Sequence, residues 1–499
     1  MNIDGALSIA AGGLANINRQ MALVSQNVAN AATPGYAVEI STQQSVTADG
    51  DGLGVHSGPA IRTIDRALQA ETFSQNATVA GLQTRQNALQ AIDAVQGTPG
   101  QGGDIASLLG DLQDQFSTLL NDPSNQVQQS QVVSAATNVA QGINALSAAY
   151  TSQRQTAQDS IVAEVATLNT TLSTIGGLSD QIVTLKAGGQ STADLENQRD
   201  SAVASLSQLL DVKALEQPNG DLLIITQSGL TLPIRGASPF SIGGANVAPG
   251  SGANVAPGSG APAIMLRGAD VTARMQGGQI GANVTLRDTT MPTDQAELDE
   301  LAQNLSSRFQ VQGLTLFTDP NGNVPPPLGT PTPPVQNGYV GFAATVQVSS
   351  FVQDNPSSVR DGDLPPASPL AGNTAIINGV LNYTFGADQA PSTPWPASNT
   401  SGLGVNGTLN APYTAPPTLI GIASTMLAAQ AQDSATATSQ LGTEQAVQTT
   451  LTTKLSAQSG VNMDTEMSTM IQLQNAYGAN AKVIAAVQAM WTQLLSTVQ

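Results

Sequence analysis

Cysteine is absent from the 499 residues, and histidine occurs once, as His56. Without a thiol there is no disulfide, no thiolate nucleophile and no thiolate metal site. That suits a protein that leaves a reducing compartment. A Ser-His-Asp triad would have to use His56, which sits in a Gly-rich stretch away from any nucleophile motif; a surface position is the expectation. Positive charge is scarce as well. Sixteen Lys and Arg stand against 35 Asp and Glu, a net charge of -19, which leaves no basic patch for a nucleic-acid backbone. The acidity instead favours a soluble monomer. Aromatic residues are only 3% of the chain, while Ala, Gln, Ser, Thr and Asn abound. Such a chain builds long, lightly packed helices more readily than one thick core. No apolar run reaches the roughly 20 residues of a membrane-spanning helix, so no membrane insertion is expected. The first positive side chain is Arg19, unlike the basic start of a secretory signal peptide. Export, if it occurs, is expected to need no cleaved signal.

The motifs that imitate chemical sites fail on spacing. Asp319-Pro320-Asn321-Gly322-Asn323 starts like a calcium loop, but the sixth place is Val324 instead of Gly and the closing place is Thr330 instead of Glu. Asp49-Gly50-Asp51-Gly52 reads as a turn. Gly277-Gly278-Gln279-Ile280-Gly281 lacks the Lys-Ser/Thr of a phosphate loop. Asp361 and Asp363 have no neighbours in sequence that would tune their acidity. No catalytic residue, metal or cofactor is expected.

What the sequence does have lies at its two ends. Ile3, Leu7, Ala10, Leu14, Ile17, Met21, Val24 and Val28 alternate in steps of four and three, the a/d seam of a coiled coil. Pro34 ends this helix, because it restricts Thr33 and lacks a backbone donor, and Gly35 permits a turn. The same stepping returns at Met463, Met467, Met470, Gln474, Tyr477, Ala481, Ile484, Gln488, Trp491, Leu495 and Val498. Ser459-Gly460 precedes it, and Asn462 or Asp464 can cap its first turn. Gln474 and Gln488 interrupt the seam with polar groups that can fix register or partner. Two readings follow: the ends pack on each other and on further copies, or each docks as an ordinary amphipathic helix on a globular body.

Asn27-Val28-Ala29-Asn30 followed by Thr33-Pro34-Gly35-Tyr36 resembles the signature of bacterial flagellar rod, hook and hook-associated proteins. The run Ser459 to Met467, with Gln474-Asn475-Ala476-Tyr477, Ala479-Asn480 and Lys482-Val483-Ile484, resembles the matching C-terminal signature. The resemblance implies that the termini pair as a coiled coil in the inner core of a tubular axial structure. Ile3, Leu7, Leu14, Ile17, Met21, Val24, Val28, Met463, Met467, Met470, Tyr477, Ile484, Trp491, Leu495 and Val498 would then form the assembly interface. It also implies passage through the flagellar type III export apparatus and an extracellular location.

Between the ends, Val38 to Pro59 is extended and Gly-rich, with a candidate strand at Val55 to Ile64. Helical pattern runs from Asp65 past Val95, then from Asp104 to Leu120, then from Ser124 to Ala187, where Gly176-Gly177 is a candidate kink. Ser191-Thr192-Ala193-Asp194 reads as a capping box for a helix ending near Leu210. Ala193 to Asp200, ADLENQRD, resembles a motif of the family branch at the hook–filament junction; taken alone, its acids and Arg199 equally suit a solvated face. Val212 to Ile234 alternates around a Pro218-Asn219-Gly220 hairpin turn. GANVAPGS occurs twice in tandem from Gly244 to Ser259, a surface loop, since two eight-residue copies build no core. Met265 to Leu286 reads as strand, and Gln295 to Val311 as a helix. Its end carries Ser306-Ser307-Arg308-Phe309 where members of the family usually have an Asn and a His. Leu316 to Pro416 is rich in Pro, Gly and Asn, with strand candidates at Tyr339–Val348 and Leu381–Phe385. Ile420 to Gln458 is helical.

The expected architecture is mainly α with β portions. Residues 1–40 and 456–499 form an inner coiled core, and 41–59 an extended linker. Residues 60–315 and 417–455 form a long-helix middle domain with β hairpins, and 316–416 an inserted, turn-rich outer domain. The resemblance implies a structural part that joins hook to filament. Its partners would be further copies in a ring, the hook protein, a second hook-associated protein on the filament side, and an export chaperone. A hook or distal-rod protein is the alternative within the family, although those carry mainly β middle domains. A secreted hydrolase is the alternative outside it.

Overall fold

The computed structural model describes residues 3–48, 51–97, 102–247, 260–327, 339–363 and 372–497. The first helix, α1 (Ile3–Asn30), stops where Pro34 requires, and Gly35 takes φ 78° in the turn that follows. The stretch read as an extended linker is an antiparallel hairpin, β1 (Glu39–Ala48) with β2 (Asp51–Arg62).

Side-chain caps open the next three helices. Asp65 accepts from the amides of Ala67 and Leu68 at the start of α2 (Arg66–Gln96). Asp104 accepts from Ser107 at the start of α3 (Ile105–Asn121). Asn125 opens α4 (Gln126–Ala187), which runs unbroken for 62 residues, about 93 Å at 1.5 Å per residue. Gly176 does not break it. A Cβ there would lie 1.9 Å from the Ile234 carbonyl oxygen, so this glycine serves a close backbone approach. The capping box expected before α5 (Ala193–Leu209) does not form. Thr192 at the N-cap has φ -116° and ψ -2°, and its hydroxyl donates to Glu196 Oε1 at 2.7 Å. Ser191 instead donates to the Ala60 carbonyl of β2.

A three-stranded meander follows, β3 (Val212–Glu216), β4 (Leu222–Thr226) and β5 (Thr231–Leu232), turning at Gly220 with φ 91°. A smaller sheet joins β6 (Phe240–Ser241), β7 (Met265–Leu266) and β8 (Ala269–Asp270). Most of the tandem repeat, 248–259, lies outside the described residues. The strand expected from Met265 to Leu286 is corrected: only two-residue strands form, and the chain is helical from Gly278. There α6 (Gly278–Thr285) passes through a π turn, Leu286–Thr290, into α7 (Met291–Val311). Tertiary contact overrides β propensity here. Gly277 and Gly278 press on the Asp211 side chain and the Leu209–Leu210 backbone, Ile280 is buried, and Asn283 donates to Glu164 at 2.7 Å.

The inserted stretch is short-elemented. It contains β9 (Phe317–Thr318) paired with β10 (Gln347–Val348), then α8 (Ser350–Asp354), α9 (Ser358–Asp361) and α10 (Ala375–Gly379). Two small hairpins close it, β11 (Asp388–Ala390) with β12 (Thr393–Pro394), and β13 (Ser401–Leu403) with β14 (Leu409–Asn410). Of the strand expected at Tyr339–Val348 only the last two residues pair, and Leu381–Phe385 is mostly a π turn. The chain ends in α11 (Leu419–Ser459) and α12 (Met463–Thr497).

Two cores hold the body together. One joins α3, α7, α11 and the first half of α4, and its centre is aromatic: Phe309 touches Phe116, Phe317 and Phe385 at 5.5–5.9 Å between centroids. Phe342, Val348, Val359, Ile377 and Phe385 of the inserted stretch belong to this same core, so the stretch is not a separate unit with its own interior. The other core packs the second half of α4 against α5, α6 and the β3–β5 meander.

Candidate assembly site at the terminal helix pair

The α12 helix packs chiefly on α1, and α1 also touches the β1–β2 hairpin. The pair is antiparallel: Gly13 faces Asn480, while the Val38 amide donates to the Ser459 carbonyl at 2.8 Å. On α1 the seam read from the sequence is the seam that faces the partner. Ala10, Ile17 and Val24 are buried, Leu14, Met21 and Val28 half-buried, and Leu7 exposed.

On α12 the register differs. The positions turned to α1 are Glu466, Leu473, Asn480 and Val487, seven apart, with Leu473 set against Ile17 and Val24. Met470 and Ile484 lie at the edge of this contact. Met463, Met467, Tyr477, Trp491 and Leu495 face away, with Trp491 48% and Leu495 61% exposed against 4% for Val487. Val498 lies outside the described residues. The helix carries more than one apolar stripe at heptad spacing; Ile471, Val483 and Met490 are exposed too. Periodicity finds such stripes but cannot rank them.

The motif after α1 closes on itself and on the body. The Asn27 side chain donates to the Glu39 carbonyl at 2.9 Å and accepts from the Glu39 amide at 3.1 Å. Tyr36 donates its hydroxyl to the same Asn27 oxygen. Asn30 donates to the Gln26 carbonyl and accepts from Thr33. From the other side, Asn197 of α5 accepts from the Ala37 amide and donates to the Ala37 carbonyl, each at 3.1 Å. Two buried asparagines therefore pair with alternate residues of the crossing strand, and Ser459 takes the amide between them. The N-cap expected for α12 is Asn462, which accepts from the amides of Asp464 and Thr465.

Arg62, at the end of β2, completes the joint. It donates to Glu196 at 3.0 Å, to Asn197 at 3.2 Å and to Asp200 at 2.8 Å, with its side chain 4% exposed. Burial pulls the guanidinium pKa down, but Asp200 and Glu196 outweigh that and hold it above its ordinary value. Glu196 is likewise disfavoured by burial, yet Thr192 and Arg62 hold it below the usual carboxylate range. Burial, then Asp194, pushes Glu39 up, and burial with Glu39 raises Tyr36. Ala193, Asn197 and Arg199 are buried while Asp194 and Gln198 are exposed, so one face of the Ala193–Asp200 run turns inward and the solvated-face reading is corrected for Arg199. Arg62 carried no signal in the sequence, because its acceptors on α5 lie more than 130 residues away, and the Glu39 carboxylate likewise accepts from Asn197, far along the chain.

A cavity of about 490 Å³ opens beside the joint, between the 31–37 turn, α2, α5 and α11. Among the described residues no group of acids or histidine is arranged to hold a metal, and no helix is long and apolar enough to cross a membrane.

Residues 89–324 match the family described as flagellar hook-associated protein FlgK helical domain, and residues 456–497 match flagellar basal body rod FlgEFG protein C-terminal. The flagellar hook-associated protein 1 of Bacillus subtilis (strain 168) is 24% identical over 236 residues, 45% of this chain and 46% of that protein. The chain thus spans about half the length of this curated relative. A solved structure, the flagellar hook junction protein FlgK from Burkholderia pseudomallei, aligns at 23% identity with a TM-score of 0.40, over 52% of this chain and 46% of that one.

Proposed function

The chain belongs to the flagellar hook-associated family of axial proteins, and on that premise we propose that it is the structural adaptor between hook and filament. It works by association and not by catalysis. The α1–α12 pair enters the inner core of the tube, and neighbouring copies pack on the face of α12 that α1 leaves uncovered. The partners would be further copies in a ring, the hook protein below and a second hook-associated protein on the filament side, with a chaperone during export.

The observation that supports this reading most is the uncovered stripe. Met463, Met467, Ile471, Tyr477, Trp491 and Leu495 are all at least 39% exposed on a terminal helix that packs chiefly on one other. A row of large apolar side chains on one helix marks a protein contact, and Trp and Tyr are the common anchors of such contacts.

Trp491→Ala is the test. Because Trp491 is half exposed, its truncation should change the stability of the free protein by less than about 1 kcal/mol, the range of ordinary surface substitutions. At a packed interface the same truncation costs about 2 kcal/mol or more. Cells carrying it should assemble hooks, lose most filaments and shed flagellin, read by electron microscopy and a flagellin blot of the medium. Removal of 484–499 should do so more severely. Normal filaments on the truncated variant would defeat the proposal. Absence of the hook itself would favour a hook or distal-rod role.

A further inference from the structure

The terminal pair with its hairpin forms an arm, and the arm meets the body at few places. The main packing of α12 is on α1, and that of α1 is on α12 and the hairpin. The arm therefore has little apolar surface against the body to set its direction. Its ties are polar and cluster within a few residues: Ala37 on Asn197, Val38 on Ser459, and Arg62 on Glu196, Asn197 and Asp200. Two lesser contacts, Gln26 to Asp194 and Ser191 to Ala60, lie beside them.

We propose that Asn197 and Arg62 are positioning residues that fix the direction of the arm relative to the body. This deepens the adaptor reading and rests on it for its purpose: a subunit seated by its arm can present its body at one angle only if the joint is stiff. The geometry suits the task. Asn197 pairs with both backbone groups of Ala37, which is 1% exposed, so rotation of the arm about this point breaks two hydrogen bonds and leaves buried groups unpaired. Arg62 reaches three acceptors on successive turns of α5 from the open end of the hairpin, where it pairs with Glu39. Its planar fork holds direction as well as distance. Loss of either side chain removes an angular constraint, while both body cores, built from α2–α11, keep their apolar contacts.

The absence of cysteine makes the test direct. Spin labels on Ala22→Cys in α1 and Thr170→Cys in α4, both exposed, report the arm-to-body distance in dilute, unassembled protein by pulsed electron resonance. The parent should give one narrow distribution. Asn197→Ala and Arg62→Met should each broaden it at least about two-fold while the thermal transition of the body stays in place. Gln198→Ala, on an exposed position one residue along, should leave it narrow. If Asn197→Ala does not fold, Arg62→Met decides alone. A broad distribution in the parent, or equal widths in parent and both variants, would overturn the inference. The measurement is made without assembly, so a failure of the adaptor reading would show in the filament assay and leave this result standing.

Discussion

Replacing Glu297 by Gln should make the protein more stable at alkaline pH and flatten its stability profile. Glu297 lies on α7 and is 3% exposed. No hydrogen bond closes on either of its carboxylate oxygens. Burial first, and then Asp294, push its pKa from 4.5 to about 8, with nearby Gln430 and Tyr413 moderating the rise. The folded protein therefore keeps a proton that the unfolded chain releases near pH 4.5. Stability linked to this group is complete below that pH and declines as pH climbs, until the folded form also ionises near 8. A displacement of roughly 3.5 units at about 1.4 kcal/mol each bounds the effect at about 5 kcal/mol. A cavity of about 280 Å³ lined by Asp294, Glu297, Gln430 and Asp433 lets water relieve part of it, so a difference on the order of 3 kcal/mol is expected. Glu297→Gln keeps the shape and stays neutral throughout. Asp294 and Asp299 are also pushed up by burial, to about 8 and about 7, so a residual slope should remain in the variant. Urea midpoints followed by circular dichroism at pH 5, 7 and 8.5 give the comparison. Parallel profiles for parent and variant would refute the reasoning, as would a variant less stable than the parent at pH 8.5.

Gly176→Ala should destabilise the protein by about 1–3 kcal/mol, although alanine is the better helix former, because the new Cβ meets the Ile234 carbonyl; an unchanged urea midpoint would show that the loop moves aside freely. Replacing Gly322–Asn410 by a Gly/Ser linker should abolish the cooperative thermal transition of the helices, since the stretch supplies Phe342, Val348, Val359, Ile377 and Phe385 to their core; a retained transition in calorimetry would show that core to be dispensable.

Local chemistry was legible along the chain because its causes are neighbours. Pro34 and Gly35 end α1, and Asp104 and Asn462 cap the helices that follow them. The heptad steps of α1 and the absence of cysteine are likewise properties of the sequence as written, and the signatures at both ends point to the flagellar axial family. Other features depend on residues far away. Gly176 reads as a helix breaker until the Ile234 carbonyl is seen against it. Met265–Leu286 reads as strand until Gly278 is seen against Leu209. The inserted stretch reads as detachable until its aromatic and branched side chains are found around Phe309. On α12 several apolar stripes share one period, and only contact with α1 decides that Leu473 and Val487 turn inward while Trp491 stays out. Arg62 is the clearest case: nothing beside it in the chain marks it, and its role comes from three acceptors on α5 that folding brings within hydrogen-bond reach.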